Sequence, residues 1–124
     1  MKRILLAEDD RFLRRAAQTK LEQAGFGVEV ATDGEEAIAA LRREPKPDLL
    51  LLDMLMPRKD GMTVLREMKA DEALREIPVV ILSNSSKDGE MQKANALGAV
   101  HYWIKSNLSL QELCTRVQGL LEQR

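Results

Sequence analysis

Polar residues whose types suit phosphoryl chemistry stand at the ends of short apolar runs. Glu8-Asp9-Asp10 follows Ile4-Leu5-Leu6-Ala7, Asp53 follows Leu49-Leu50-Leu51-Leu52, Ser83 follows Val79-Val80-Ile81-Leu82, and Lys105 closes Val100-His101-Tyr102-Trp103-Ile104. Taken singly, each has an ordinary explanation: a strand-end Asp or Ser caps the next helix or turn, and a Lys is solvated. Asp10 in particular reads as the N-cap of the first helix. Taken together, the carboxylates Glu8, Asp9 and Asp53 would repel one another unless a cation or Lys105 compensates them. A compact carboxylate cluster with a carbonyl and waters suits Mg²⁺, a hard ion with octahedral, all-oxygen preferences. Such a site beside a carboxylate, a lysine and a hydroxyl is a phosphoryl-transfer arrangement. The carboxylate attacks phosphorus in line, metal and ammonium neutralise the equatorial oxygens, and the hydroxyl donates to the product.

That chemistry requires elements that bring the run ends to one rim. The four runs above, with Val28-Glu29-Val30-Ala31, read as five strands. Three are nearly continuous in hydrophobicity, as in parallel strands covered on both faces. Between them lie segments of helical spacing: Phe12, Leu13, Ala16, Ala17 and Leu21; Ala37, Ile38 and Leu41; Val64, Leu65 and Met68; Met91, Ala94 and Leu97; Leu110, Leu113, Val117, Leu120 and Leu121. Thr32-x-x-Glu35 and Ser109-x-x-Glu112 read as capping boxes, with Ser85-x-x-Asp88 a weaker version. Gly25 and Gly98 fall where left-handed helix ends are expected, and Glu44-Pro45-Lys46-Pro47 ends the second helix. Five βα units with short connections predict an α/β fold: a (βα)5 flavodoxin-like, doubly wound parallel sheet in the order 2-1-3-4-5. Ligands then bind beyond the carboxyl ends of strands 1 and 3.

Composition bounds the rest. With 124 residues, 19 Lys+Arg against 20 Asp+Glu and a net charge of −1, one domain over 1–124 is expected, with any output domain on another molecule. Direct nucleic-acid binding is disfavoured, since there is no strong basic footprint and aromatics are only 3%. Cys114 and His101 stand alone in their types, which excludes an internal disulfide and effectively excludes zinc. The first apolar run is too short for a signal-peptide core or a membrane span, so a cytoplasmic location is the expectation.

The residues resemble the receiver domain of two-component response regulators, the phosphoacceptor half of histidine-to-aspartate signalling. The resemblance runs through Ile4-Leu5-Leu6-Ala7-Glu8-Asp9-Asp10, Ala31-Thr32-Asp33-Gly34-Glu35-Glu36-Ala37, Asp53-Met54-Leu55-Met56-Pro57 with Asp60-Gly61, then Ser83, Gly98-Ala99 and Lys105. It implies Asp53 as phosphoacceptor, Mg²⁺ on Asp9, Asp53 and the Leu55 backbone carbonyl, and Glu8 acting through water. It further implies Ser83 as the switch hydroxyl, Lys105 on the phosphoryl oxygens, and Tyr102 as an aromatic that turns inward when Ser83 moves. Leu55 and Ser85 sit where the family varies its dephosphorylation rate, and an apolar Leu55 implies slow hydrolysis. Ser106 replaces the family's usual cis proline after the lysine, so a trans bond is expected. The connection to the last helix is longer, and Asn84 stands where Ala or Gly is common.

The implied partners are a histidine kinase or histidine phosphotransfer protein and an unknown downstream protein. The face made by the fourth helix, fifth strand and fifth helix carries the output, a homodimer among the options. No enzyme activity is expected beyond the domain's own phosphorylation and dephosphorylation. Three other readings fit the sequence less well. A fold that has lost phosphorylation is opposed by the intact Asp9, Asp53, Ser83 and Lys105 set. A haloacid-dehalogenase-like phosphatase needs a second Asp two residues after its nucleophile, where this chain has Leu55. A Rossmann dehydrogenase is excluded because no GxGxxG follows the first strand. His101 and Trp103 read as packing or surface residues, Met54, Met56 and Met62 as packing, and Arg11, Arg14, Arg15 and Lys20 as a solvated helix face.

Overall fold

A computed structural model describes residues 1–84 and 87–122. Strands and helices alternate: β1 (Arg3–Ala7), α1 (Arg11–Gln23), β2 (Gly27–Ala31), α2 (Gly34–Arg42), β3 (Leu49–Asp53), α3 (Gly61–Ala70), β4 (Val79–Ser83), α4 (Asp88–Ala96), β5 (His101–Ile104), a short 3₁₀ turn (Lys105–Asn107) and α5 (Leu110–Glu122). The strands form one parallel sheet in the order β2-β1-β3-β4-β5. The predicted α/β topology is the observed one.

Alternation along each strand divides the core in two. Leu5, Ala7, Leu50, Leu52, Val79 and Ile81 pack with residues of α2, α3 and α4, and Tyr102 packs against this cluster. Ile4, Leu6, Leu49, Leu51, Val80, Leu82 and Trp103 face α1 and α5. The central strands are buried on both sides, which is why their sequences are apolar throughout.

Helix ends largely follow the sequence. Asp10 caps α1 by accepting from the Phe12 and Leu13 amides, and Ser109 and Glu112 exchange the reciprocal bonds of a capping box. Gly25 and Gly98 have φ of 98° and 94°, in the left-handed region. The cis peptide bond found is Glu44–Pro45, so the Lys105–Ser106 bond is trans as expected.

Two expectations are corrected. The α2 cap is displaced by one residue: Asp33, not Thr32, accepts from the Glu36 amide, while Thr32 donates its amide and hydroxyl to the Glu36 carboxylate. Both Thr32 and Asp33 can cap, and the carboxylate one position closer to the helix takes the role. Phe12 is 85% exposed rather than part of the core. The inward stripe of α1 runs through Ala17 and Leu21, and five positions before Ala17 is about 140° around the axis. Ser85 lies outside the described residues, and α4 begins after Lys87 without a side-chain cap.

Candidate functional site

The rim beyond the carboxyl ends of the strands collects the polar residues. Leu6 pairs with Leu51 and Ala7 with Leu52, so the next residues, Glu8 and Asp53, fall side by side. Asp53 pairs with Leu82 and Ser83 with Ile104, which sets Ser83 and Lys105 on the neighbouring strand ends. By parity, Glu8, Asp53 and Lys105 all continue the side-chain row that faces α1 and α5, whereas Ser83 continues the opposite row.

Contacts bear out this grouping. Lys105 Nζ lies 2.7 Å from Glu8 Oε1 and 2.9 Å from Asp53 Oδ1. Glu8, Asp53 and Ser83 are all buried, while Asp9 is exposed. The second Glu8 oxygen accepts from the Asp10 amide at 3.1 Å, which folds the loop after β1 back on itself. Burial pushes the Asp53 carboxyl up from 3.8 to about 7; Lys105 opposes the rise, and the Glu8 charge adds to it. Burial alone would push the Lys105 ammonium down, but Glu8 and Asp53 together hold it above the ordinary lysine range.

The cluster carries more acid than base. Glu8, Asp9 and Asp53 each offer a carboxylate oxygen, all within 4.8 Å of one another, and two of the three residues are buried. Hard oxygen donors at this spacing fit a divalent cation, which would offset the excess negative charge beside Lys105.

The loop after β3 is held by close backbone approach. The Gly61 amide donates to the Met54 carbonyl at 2.9 Å, and the Met54 amide to the Leu82 carbonyl at 3.0 Å. A Cβ on Gly61 would stand 2.5 Å from the Asp53 carbonyl oxygen, so only glycine allows α3 to start here. Arg58, at φ 70°, reaches across to Asp33 at the start of α2, with Nε 3.2 Å from the carboxylate. Leu55, on the same loop, is 77% exposed.

Tyr102 is half-buried on β5, its hydroxyl donating to Glu90 of α4 at 3.3 Å. On the other face of β5, Trp103 is buried, stacked with His101 at 5.8 Å between ring centroids and covered by the Arg116 guanidinium. Met54, Met56 and Met62 are packed in the core cluster, as read from the sequence. One residue near the site escaped that reading. Arg14 is not part of a purely solvated face: it is half-buried and donates to the carbonyls of Glu8 and Asp9. Its place four residues after the Asp10 cap is the signal that could have found it.

A family model for the response regulator receiver domain matches residues 4–118. The chain is 35% identical over 121 residues to response regulator MprA of Mycobacterium leprae (strain TN), covering 98% of this chain and 51% of MprA. It thus spans about half the length of the curated relatives it matches. Among solved structures, it is similar to the phosphorylated cyanobacterial phytochrome response regulator RcpA, with a TM-score of 0.84 and 37% identity, covering 98% of this chain and 91% of that one. The Mn(2+)-bound form of response regulator Rcp1 gives a TM-score of 0.82 at 34% identity, covering 97% of this chain and 91% of that one. The sheet order, the acidic rim with its lysine, and a family match over nearly the whole sequence lead to one assignment: the chain belongs to the response regulator receiver domain family, whose members are phosphoacceptors of two-component signalling.

Proposed function

We propose that Asp53 accepts a phosphoryl group from a phosphohistidine on a histidine kinase or histidine phosphotransfer protein, and that the acyl phosphate switches a protein-interaction face. The observation that carries the reading is the Lys105 ammonium 2.9 Å from a buried Asp53 whose other neighbours are the carboxylates Glu8 and Asp9. An Asp53 oxygen attacks phosphorus, the P–N bond breaks as the O–P bond forms, and the imidazole leaves and takes up a proton. Lys105 is positioned to pair with the phosphoryl oxygens, and the Ser83 hydroxyl to donate to one of them.

Asp9, Asp53 and the Leu55 backbone carbonyl are the groups we assign to Mg²⁺, with Glu8 contributing through water. The ion, when bound, supplies positive charge that favours the ionised Asp53 and neutralises phosphoryl oxygens. No separate substrate is assigned: the chemistry is the domain's own phosphorylation and hydrolysis.

Residues 1–124 are read as one receiver domain acting in the cytoplasm. Its output face is α4, β5 and α5, supported by Tyr102, which lies on β5 and reaches α4 through Glu90. Movement of Ser83 toward the phosphoryl group draws Tyr102 inward and reshapes that face for a downstream protein or a second copy of the chain. Neither direct nucleic-acid contact nor membrane insertion is assigned to these residues; among the described helices, none is long and apolar enough to cross a membrane.

The test is intact mass after incubation with a small-molecule phosphodonor and Mg²⁺, quenched in acid. A gain of about 80 Da, one phosphoryl group, is expected in the parent and absent in Asp53→Asn. If the parent neither gains mass nor binds beryllofluoride, the fold serves recognition alone.

A further inference from the structure

The two acidic residues that follow β1 hold their positions through the main chain, and one side chain from the following helix grips that main chain. Arg14 Nη1 lies 3.1 Å from the Glu8 carbonyl oxygen and 3.2 Å from the Asp9 carbonyl oxygen. Both carbonyls lie past the end of the β1 strand, where backbone acceptors need a partner from outside the ladder. Arg14 is three residues before Ala17 and seven before Leu21, the inward stripe of α1, so its stem runs over the core edge while Arg11 and Arg15 point to solvent.

The loop is a closed circuit of contacts. Glu8 binds the Asp10 amide, Asp10 caps α1, and Arg14, one turn into that helix, returns to the carbonyls of Glu8 and Asp9. Within this circuit the Asp9 carboxylate is the side chain left pointing at the cluster with Glu8 and Asp53. Two effects of Arg14 on a cation there oppose each other. Its charge repels a cation, by an amount that water near the rim screens. Its Nη1, bridging the two carbonyls that flank the Asp9 Cα, fixes the main chain from which Asp9 projects, as partners behind metal ligands do elsewhere.

We infer that Arg14 is a positioning residue for the cation site, holding the Glu8–Asp9 main chain so that the Asp9 carboxylate is pre-set toward Asp53, and that this outweighs its repulsion. The inference rests on the cation reading above. It predicts the sign of a measurement, because loss of a bystander charge would tighten cation binding and loss of a clamp weakens it.

The experiment is Mn²⁺ titration followed by electron paramagnetic resonance of the unbound ion, on the parent, Arg14→Met, Arg14→Lys and Arg15→Met, with thermal unfolding recorded for each. Arg15 is the charge control, being one residue away and exposed. Arg14→Met is expected to bind Mn²⁺ about tenfold more weakly, the lower end of the loss seen when a ligand's supporting partner is removed. Arg14→Lys, which keeps the charge on a shorter side chain that reaches the two carbonyls less well, falls between, and Arg15→Met matches the parent. Should Arg14→Met fail to fold, Arg14→Lys against Arg15→Met decides. Equal or tighter binding in the Arg14 variants overturns the inference and leaves the cation site standing. A parent that binds no Mn²⁺ overturns both.

Discussion

The ammonium of Lys105 stands 2.7 Å from the carboxylate of Glu8, a pairing across 97 residues of sequence that joins the first strand end to the last. The same ammonium meets Asp53, so one cation is shared between two buried acids. Burial of Asp53 in this company, with the Glu8 charge adding and Lys105 opposing, raises its pKa to about 7.

The pH dependence of stability follows from that displacement. The Asp53 pKa is higher in the folded chain than its ordinary value of 3.8, so its contribution is fully present below about pH 4 and is lost as pH rises to about 7. The interval sets a ceiling of about 4 kcal/mol, and sharing of Lys105 brings the expected value to about 1–3 kcal/mol. In chelator, Asp53→Asn is therefore more stable than the parent at pH 7.5 by about that amount, and the advantage shrinks at pH 5. Urea unfolding of both proteins at the two pH values checks this; a constant difference would contradict it.

Gly61→Ala is expected to damage the site through packing alone. The added methyl meets the Asp53 carbonyl oxygen at 2.5 Å and the Met54 Cα at 2.9 Å, atoms that cannot step aside independently. A loss of about 2–3 kcal/mol is expected, with weaker Mg²⁺ binding because the segment bearing Leu55 shifts with it. Thermal unfolding and cation titration on one preparation read both effects.

Hydrolysis of the acyl phosphate is expected to speed up in Leu55→Asn. Leu55 is 77% exposed on the loop after Asp53, and its apolar side chain offers an attacking water no hydrogen bond. An amide there supplies one. The decay of acid-quenched phosphoprotein, parent against variant, is the measurement, and equal half-lives would refute the role of this position.

Asp33 is expected to serve two elements at once. It caps α2 through the Glu36 amide at 2.8 Å and pairs with Arg58, whose left-handed backbone the pairing helps to hold. Asp33→Ala should cost about 1–2 kcal/mol, mostly from the lost cap. Asp33→Asn keeps a cap and should cost less than half as much, since an ion pair whose Arg58 end is exposed to solvent contributes about 0–1 kcal/mol. Chemical denaturation ranks the two.

Much of this site was legible because strand ends are marked by apolar runs that stop at a charged or hydroxyl residue. Glu8, Asp53, Ser83 and Lys105 each do so, and parallel pairing then leaves few ways to arrange them. Arg14 was not legible, because an arginine among Arg11 and Arg15 looks like solvated charge until the helix phase is fixed. The same phase turned Phe12 outward. The α2 cap was misread by one position because Thr32 and Asp33 are both competent and sequence alone does not rank them. The roles of Gly34 and Gly61 depend on backbone that passes from elsewhere, the Lys59 carbonyl for one and the Asp53 carbonyl for the other.

Tyr102 and Trp103 are consecutive on β5 and therefore look in opposite directions, one toward α4 and the other beneath Arg116. Trp103 is the chain's single tryptophan, so its emission is an optical gauge mounted on the strand that carries Tyr102. A rotation of Tyr102 confined to its own side chain leaves that emission unchanged. A spectral shift on phosphorylation would mean that the strand itself has moved, and the two modes of signalling are separable by fluorescence without any added label.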